Sequence, residues 1–362
     1  MSTPLSGIAT KQLTYAQAIR DAHAIALERD PSVYLLGLGS PDPKGVFGTT
    51  AGLAEEFGAE RVQDMPTAES GMTGVAIGTA ISGMRPVMSH IRVEFALLAV
   101  EQIVNQAAKW RYMFGGQMQC PLVIRLLVGR GWGQGPQHSQ NLDAWFAHMP
   151  GLNVVAPTTP SDAKGLLVHA ILENDDPVVF IEHRWLHGIK GDVPEGYHSV
   201  PFGQARVARE GSDLTVVASS HMTLEALRAA EHLAHAGIDV EVIDLRTLRP
   251  LDTETILGSV RRTGRVIVTD NSWRTGGFAG EVTSIIAEEA FASLAAAPRR
   301  LAMPDVPVPT SPALARFAYP RARDIVALAG EVLDARERVA LLDPLPDPEH
   351  LDQPDPSFVG PF

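Results

Sequence analysis

Between residues 33 and 181 the chain repeats one pattern. Short, predominantly apolar runs at 33–38, 86–90, 122–128 and 177–181 alternate with longer segments of helical period at 71–82, 95–113 and 160–173. Runs without polar alternation belong to strands covered on both faces. Their alternation with helices predicts an α/β fold with a mainly parallel sheet flanked by helices. Residues 14–29 read as a preceding helix with Thr14 as N-cap, 52–57 as a short helix and 61–64 as a strand. The pattern lapses at 188–203, which is rich in Gly and Pro, and resumes with strands at 214–218, 240–244 and 265–269. Helices at 223–236, 280–290 and 323–332 accompany them. Two such domains are expected, over 1–199 and 200–335, followed by a Pro- and Asp-rich tail over 336–362 that cannot build a core.

Composition narrows the function classes. The 362 residues carry 42 acidic and 30 basic side chains, a net charge of −12, with no dense Lys/Arg tract. That argues against nucleic acid as a partner. No stretch has the roughly 18 apolar residues of a membrane span, and residues 1–10 lack the basic flank and apolar run of a signal peptide. Cys120 is the single cysteine, so a disulfide framework is excluded and a cytoplasmic location is expected. As a lone thiol it reads as a small buried hydrophobe.

Two segments carry candidate chemistry. In Ala68-Glu69-Ser70-Gly71-Met72-Thr73-Gly74 a glutamate precedes a helix whose Gly71, Gly74 and Gly78 share one face. A face without side chains lets another backbone approach. Glu69 is either a helix cap or a partly dry carboxylate that directs a hydrogen bond. The second segment, 129–140, follows a buried strand and has glycines at 129, 131, 133 and 135 before His138. Loops at strand ends are where α/β sites usually lie. His138 is a candidate proton carrier. The spacing is not the dinucleotide fingerprint, and no histidine pair has metal-ligand spacing.

With Gly83-Met84-Arg85-Pro86-Val87, Glu101-Gln102-Ile103-Val104-Asn105, Pro136-Gln137-His138 and Pro304-Asp305-Val306-Pro307, these segments run in order over residues 12–333. The series resembles the β subunits of the E1 components of 2-oxo acid dehydrogenase complexes, of the pyruvate, branched-chain 2-oxo acid and acetoin type. The resemblance implies a pyrimidine-binding domain followed by a transketolase-type C-terminal domain. It implies thiamine diphosphate as cofactor, with Glu69 hydrogen-bonding the aminopyrimidine to activate it, Gly71 beside it, and Phe95 packing on the pyrimidine face. His138 is implied to lie near the substrate and to serve acyl transfer to lipoamide. Family members often hold a potassium ion, and the candidates by position are Leu122, Ile171, Leu172, Asn174 and Asp176. A solvated acidic turn is the alternative reading of that loop.

The sequence contains no Gly-Asp-Gly run, the motif with which relatives hold Mg²⁺ and the diphosphate. A separate α-type subunit is therefore expected to hold Mg²⁺ and that half of the cofactor, in an α2β2 heterotetramer, with a lipoyl-bearing E2 as a further partner. One strip departs from the family: after Arg85-Pro86-Val87 many relatives have an acidic residue and aromatics, whereas this chain reads Met88-Ser89-His90-Ile91-Arg92-Val93. That strip bears on the substrate. The rival readings are a split transketolase-like or non-oxidative decarboxylase subunit, and a non-catalytic scaffold.

Overall fold

A computed structural model describes residues 9–130 and 134–345. The start of the chain, residues 131–133 of the glycine-rich loop, and the tail from 346 onward lie outside the described residues. The strands, in chain order, are β1 (Thr10–Thr14), β2 (Val33–Gly37), β3 (Val62–Gln63), β4 (Arg85–His90), β5 (Val123–Val128), β6 (Asn153–Val155) and β7 (Val178–His183). They continue with β8 (Lys190–Pro194), β9 (Arg206–Arg209), β10 (Leu214–Ala218), β11 (Val240–Asp244), β12 (Thr247–Arg249), β13 (Val266–Trp273) and β14 (Arg299–Met303).

Two mainly parallel sheets result, one per domain. The first has the order β12-β6-β7-β5-β4-β2-β3 and the second β14-β13-β10-β11-β9, while β1 and β8 form a separate antiparallel ribbon. Every residue of β5, β7, β10 and β11 is buried, because helices cover both faces of these sheets. In the first sheet only β12 is antiparallel, against β6; in the second only β9, against β11. β12 follows the second-sheet strand β11 in sequence, yet it pairs through Thr247 with Val155 of the first sheet. The chain thereby ties the two domains together, and one apolar cluster runs from Ile103 and Val154 to Ile243, Leu248 and Ile256.

On the other face of the first sheet, helices Tyr15–Arg29 and Pro160–Leu172 pack side by side. The expected cap is present: Thr14 Oγ1 accepts from Gln17 N at 3.1 Å, and Gln17 Oε1 accepts from Thr14 N at 2.9 Å. The segment expected as one long helix over 95–113 is instead broken. It runs as a short α-turn Val93–Ala96, a 3₁₀ turn Leu97–Ala99, a π-helical stretch Gln102–Gln106 and a second 3₁₀ turn Ala107–Lys109 before Trp110–Met113. A π stretch inserts extra backbone into a helix and re-aims the side chains beyond it. The expected tail also begins later than residue 336, since Arg336–Ala340 forms a helical turn packed on Ala322–Val332.

Candidate active site

The site is assembled where β4, β5 and β7 end. Parallel strands point their C-terminal ends to one side of a sheet, and the loops that follow them meet there. β4 leads to His90 and Arg92, β5 to Gly129, and β7 to His183 and Arg184. Gly129 has φ +89°, and a Cβ there would lie 2.7 Å from Cε1 of His183, so the loop can close on the histidine only with glycine.

Glu69 is the first residue of helix Glu69–Ile81, whose N-cap is Ala68 with no side-chain cap. The capping reading of Glu69 is thus set aside. The residue is only 7% exposed, and its carboxylate has no hydrogen-bond or ion-pair partner among the described residues. The helix packs against Val93–Ala96 and Leu97–Ala99. Gly71, Gly74 and Gly78 face open space: a Cβ on any of them would meet no atom within 4 Å among the described residues. Val75 between them is 50% exposed.

Phe95 and His138 meet, with ring centroids 5.5 Å apart and planes tilted by 47°. His138 closes a turn by donating its backbone N–H to Gly135 O at 3.1 Å, and its Nδ1 is buried without a hydrogen-bond partner. The loop is pinned to the Phe95 segment by Glu94, whose Oε1 accepts from Gln140 N at 2.6 Å. Burial raises the Glu94 carboxyl above the usual range, against the pull of that hydrogen bond.

Other groups at these strand ends escaped sequence reasoning. His183 stacks on His221 of the second domain at 4.9 Å, and Trp185 packs against both. Burial, then the charges around them, hold both imidazoles well below the ordinary histidine range. Arg184 lies with its guanidinium 4.3 Å from the centre of the Phe47 ring. His183 ends a buried strand and Arg184 follows it, and His221 opens a helix after another; strand-end position was the available signal. Beneath them Arg125 and Glu182 form a fully buried ion pair, with contacts of 2.6 and 2.9 Å, and Arg125 also donates to Ser89 and Thr49.

Which absent groups do these residues fit? A carboxylate that caps nothing, an aromatic ring on the neighbouring turn and an orphaned imidazole nitrogen suit a polar, planar heterocycle such as an aminopyrimidine. Four of the five potassium candidates have partners within the protein. The carbonyls of Ile171 and Asn174 each accept from Arg85 at 3.0 Å, Leu122 O accepts from Val178 N, and Asp176 is paired with Arg111. The remaining candidate, Leu172, ends the same helix, Pro160–Leu172. A guanidinium already supplies the positive charge those oxygens call for. A cleft of about 900 Å³ near Trp145, Arg249 and Phe278 includes none of Glu69, Phe95 or His138.

Residues 11–188 match the family described as transketolase, pyrimidine binding domain, and residues 203–325 match transketolase, C-terminal domain. The architecture is therefore that of a two-domain transketolase-type chain. The split-gene transketolase solved as an inactive β4 tetramer superposes with a TM-score of 0.72 at 25% identity, over 90% of this chain and 99% of that one. Among proteins of known name, the acetoin:2,6-dichlorophenolindophenol oxidoreductase subunit β of Cupriavidus necator is 43% identical over 333 residues, 89% of this chain and 98% of that protein. The pyruvate dehydrogenase E1 component subunit β of Rickettsia felis is 42% identical over 321 residues, 89% and 98%. The 2-oxoisovalerate dehydrogenase subunit β of Bacillus subtilis is 43% identical over 307 residues, 84% and 94%. This chain belongs to the family of E1 β subunits of 2-oxo acid dehydrogenases. The family implies thiamine diphosphate as cofactor and an α-type partner subunit. No helix among the described residues is long and apolar enough to cross a membrane.

Proposed function

We propose that this chain is the β half of a thiamine-diphosphate-dependent 2-oxo acid dehydrogenase that decarboxylates a 2-oxo acid and passes the acyl group to lipoamide on an E2 partner. The observation that carries the reading is Glu69: a glutamate only 7% exposed at a helix start, its carboxylate capping nothing and paired with nothing among the described residues, and so available to a ligand. Bound thiamine diphosphate supplies the electron sink for decarboxylation.

In this reading Glu69 holds a proton against the aminopyrimidine and sets its tautomer, Phe95 supports the ring face, and Gly71 leaves room beside it. His138 moves a proton through its orphaned nitrogen during acyl transfer. The α-type subunit holds Mg²⁺ and the diphosphate, because this chain lacks Gly-Asp-Gly, and the two subunits form an α2β2 heterotetramer. The open glycine face of helix Glu69–Ile81 supports such a partner. The domain division near residue 200 is retained. A cytoplasmic setting accords with a single, buried cysteine. No potassium ion is assigned.

The test is turnover of 2-oxo acids by the chain mixed with its α-type partner and thiamine diphosphate, read with lipoamide and with an artificial electron acceptor. The likeness to the split-gene transketolase favours a second reading, transfer to an aldehyde. Aldehyde-dependent consumption of substrate without lipoamide reduction selects it.

A further inference from the structure

Ser89, His90 and Arg92, at and just beyond the end of β4, are buried. Arg92 is only 4% exposed, and its guanidinium donates to Gly129 O. A guanidinium carries five N–H donors. This carbonyl is its one hydrogen-bond partner among the described residues, and no described carboxylate forms a salt bridge with it. Burial lowers its pKa, although the charge of Glu94 opposes the shift.

Two neighbouring side chains also lack hydrogen-bond partners. The hydroxyl of Tyr319 is buried without a hydrogen bond, and its ring lies 4.9 Å from that of Trp185, whose Nε1 donates to Arg130 O, next along the chain from the Gly129 carbonyl that Arg92 holds. Both ring nitrogens of His90, 2% exposed, lack partners as well. Arg184 is close enough for the charge of Arg92, added to the larger effect of burial, to push its guanidinium down to about 9. Buried charge is retained where it is paired. A buried guanidinium without a carboxylate partner, beside orphaned hydrogen-bonding groups, is suited to an anion that arrives from outside.

We propose that Arg92 and Tyr319 bind an anionic group on the substrate's side chain, so that the preferred substrate is a 2-oxo acid with a distal carboxylate. The proposal rests on the reading of the site as that of a 2-oxo acid dehydrogenase. The distal group is assigned, rather than the carboxylate that reacts, for an energetic reason. The reacting carboxylate loses its charge as carbon dioxide forms, so a full ion pair to it stabilises bound substrate more than the transition state and slows the step. A distal carboxylate keeps its charge throughout, and an arginine bound to it selects the substrate without that cost.

The experiment uses the enzyme assembled with its α-type partner and thiamine diphosphate, assayed with an artificial electron acceptor. Values of kcat/KM are compared for 2-oxo acids of four to six carbons bearing a distal carboxylate and for neutral analogues of the same length. The wild type is expected to favour the dicarboxylates. Arg92→Gln is expected to lower the ratio of dicarboxylate to neutral kcat/KM by roughly 10- to 100-fold, the size of a charge-assisted hydrogen bond. Tyr319→Phe, which removes a hydroxyl that holds no internal hydrogen bond and so leaves the fold intact, is expected to lower it severalfold. A wild type that turns over only neutral 2-oxo acids, or a ratio untouched in both variants, overturns the proposal and leaves the dehydrogenase reading standing. Failure of the wild type on every 2-oxo acid overturns that reading itself.

Discussion

The imidazole of His138 lies 5.5 Å from the ring of Phe95, although 43 positions separate them in the chain. The contact joins the glycine-rich loop after β5 to the turn after β4, and Glu94 pins the two through Gln140. The imidazole carries a buried Nδ1 without a hydrogen-bond partner among the described residues, and the phenyl ring carries no polar atom. This division of labour predicts different consequences for the residues around it.

Glu69→Gln keeps the shape and burial of the side chain but removes its ability to hold the proton. The variant is expected to fold and assemble normally and to lose about 10²–10⁴-fold in kcat, the range of a general acid–base group. Steady-state turnover alongside a circular dichroism spectrum checks this. Near wild-type turnover refutes the role.

His138→Ala separates the two half-reactions. Loss of lipoamide-linked turnover is expected to exceed loss of artificial-acceptor turnover by about 10²-fold. Equal losses in the two assays remove His138 from acyl transfer.

The Arg125–Glu182 pair is structural. Burial alone would raise the Glu182 carboxyl, but the Arg125 charge and the neighbouring His187 outweigh it and hold it at about 2. Arg125→Met leaves that carboxylate buried without its partner, and a loss of about 3–5 kcal/mol in unfolding free energy is expected. The double variant R125M/E182M is expected to recover much of it, which denaturant unfolding of both proteins measures.

Acid sensitivity follows from buried neutral histidines. Burial holds His23 at about 3 and His90 and His187 at about 4, against an ordinary 6.5. Below pH 6.5 the unfolded chain takes up protons that the folded chain refuses, so stability falls with pH until those lower values are reached. The Glu182 carboxylate has the opposite charge but the same direction: its stabilisation is present above the ordinary value of 4.5 and is lost as pH drops toward 2. Thermal unfolding across pH 4–8 is expected to show Tm declining from about pH 6.5 downward. A flat profile down to the acid end of that range contradicts it.

Much of this was legible in the residues. The buried strands were visible as unbroken apolar runs, and the first helix through its cap Thr14. What escaped has physical causes. β12 is three residues long and gains its place only by crossing to the other sheet, which no local pattern encodes. β9, Arg206–Arg209, is a charged edge strand without apolar alternation. The π stretch Gln102–Gln106 lies in a sequence with ordinary helical periodicity. Helix Thr253–Thr263 is missing from the sequence reading although Asp252 caps its start and Gly264, at φ +66°, ends it. Two of the carbonyls proposed for potassium, Ile171 and Asn174, accept from Arg85, 86 and 89 positions away.

The central claim is that this chain supplies half of a thiamine diphosphate site. Calorimetric titration of thiamine diphosphate with Mg²⁺ measures it most directly, first into this chain alone and then into its mixture with the α-type subunit. The account predicts heat of binding only in the mixture, because Glu69 and Phe95 are here while the Gly-Asp-Gly motif is not. Tight binding by this chain alone contradicts the shared site.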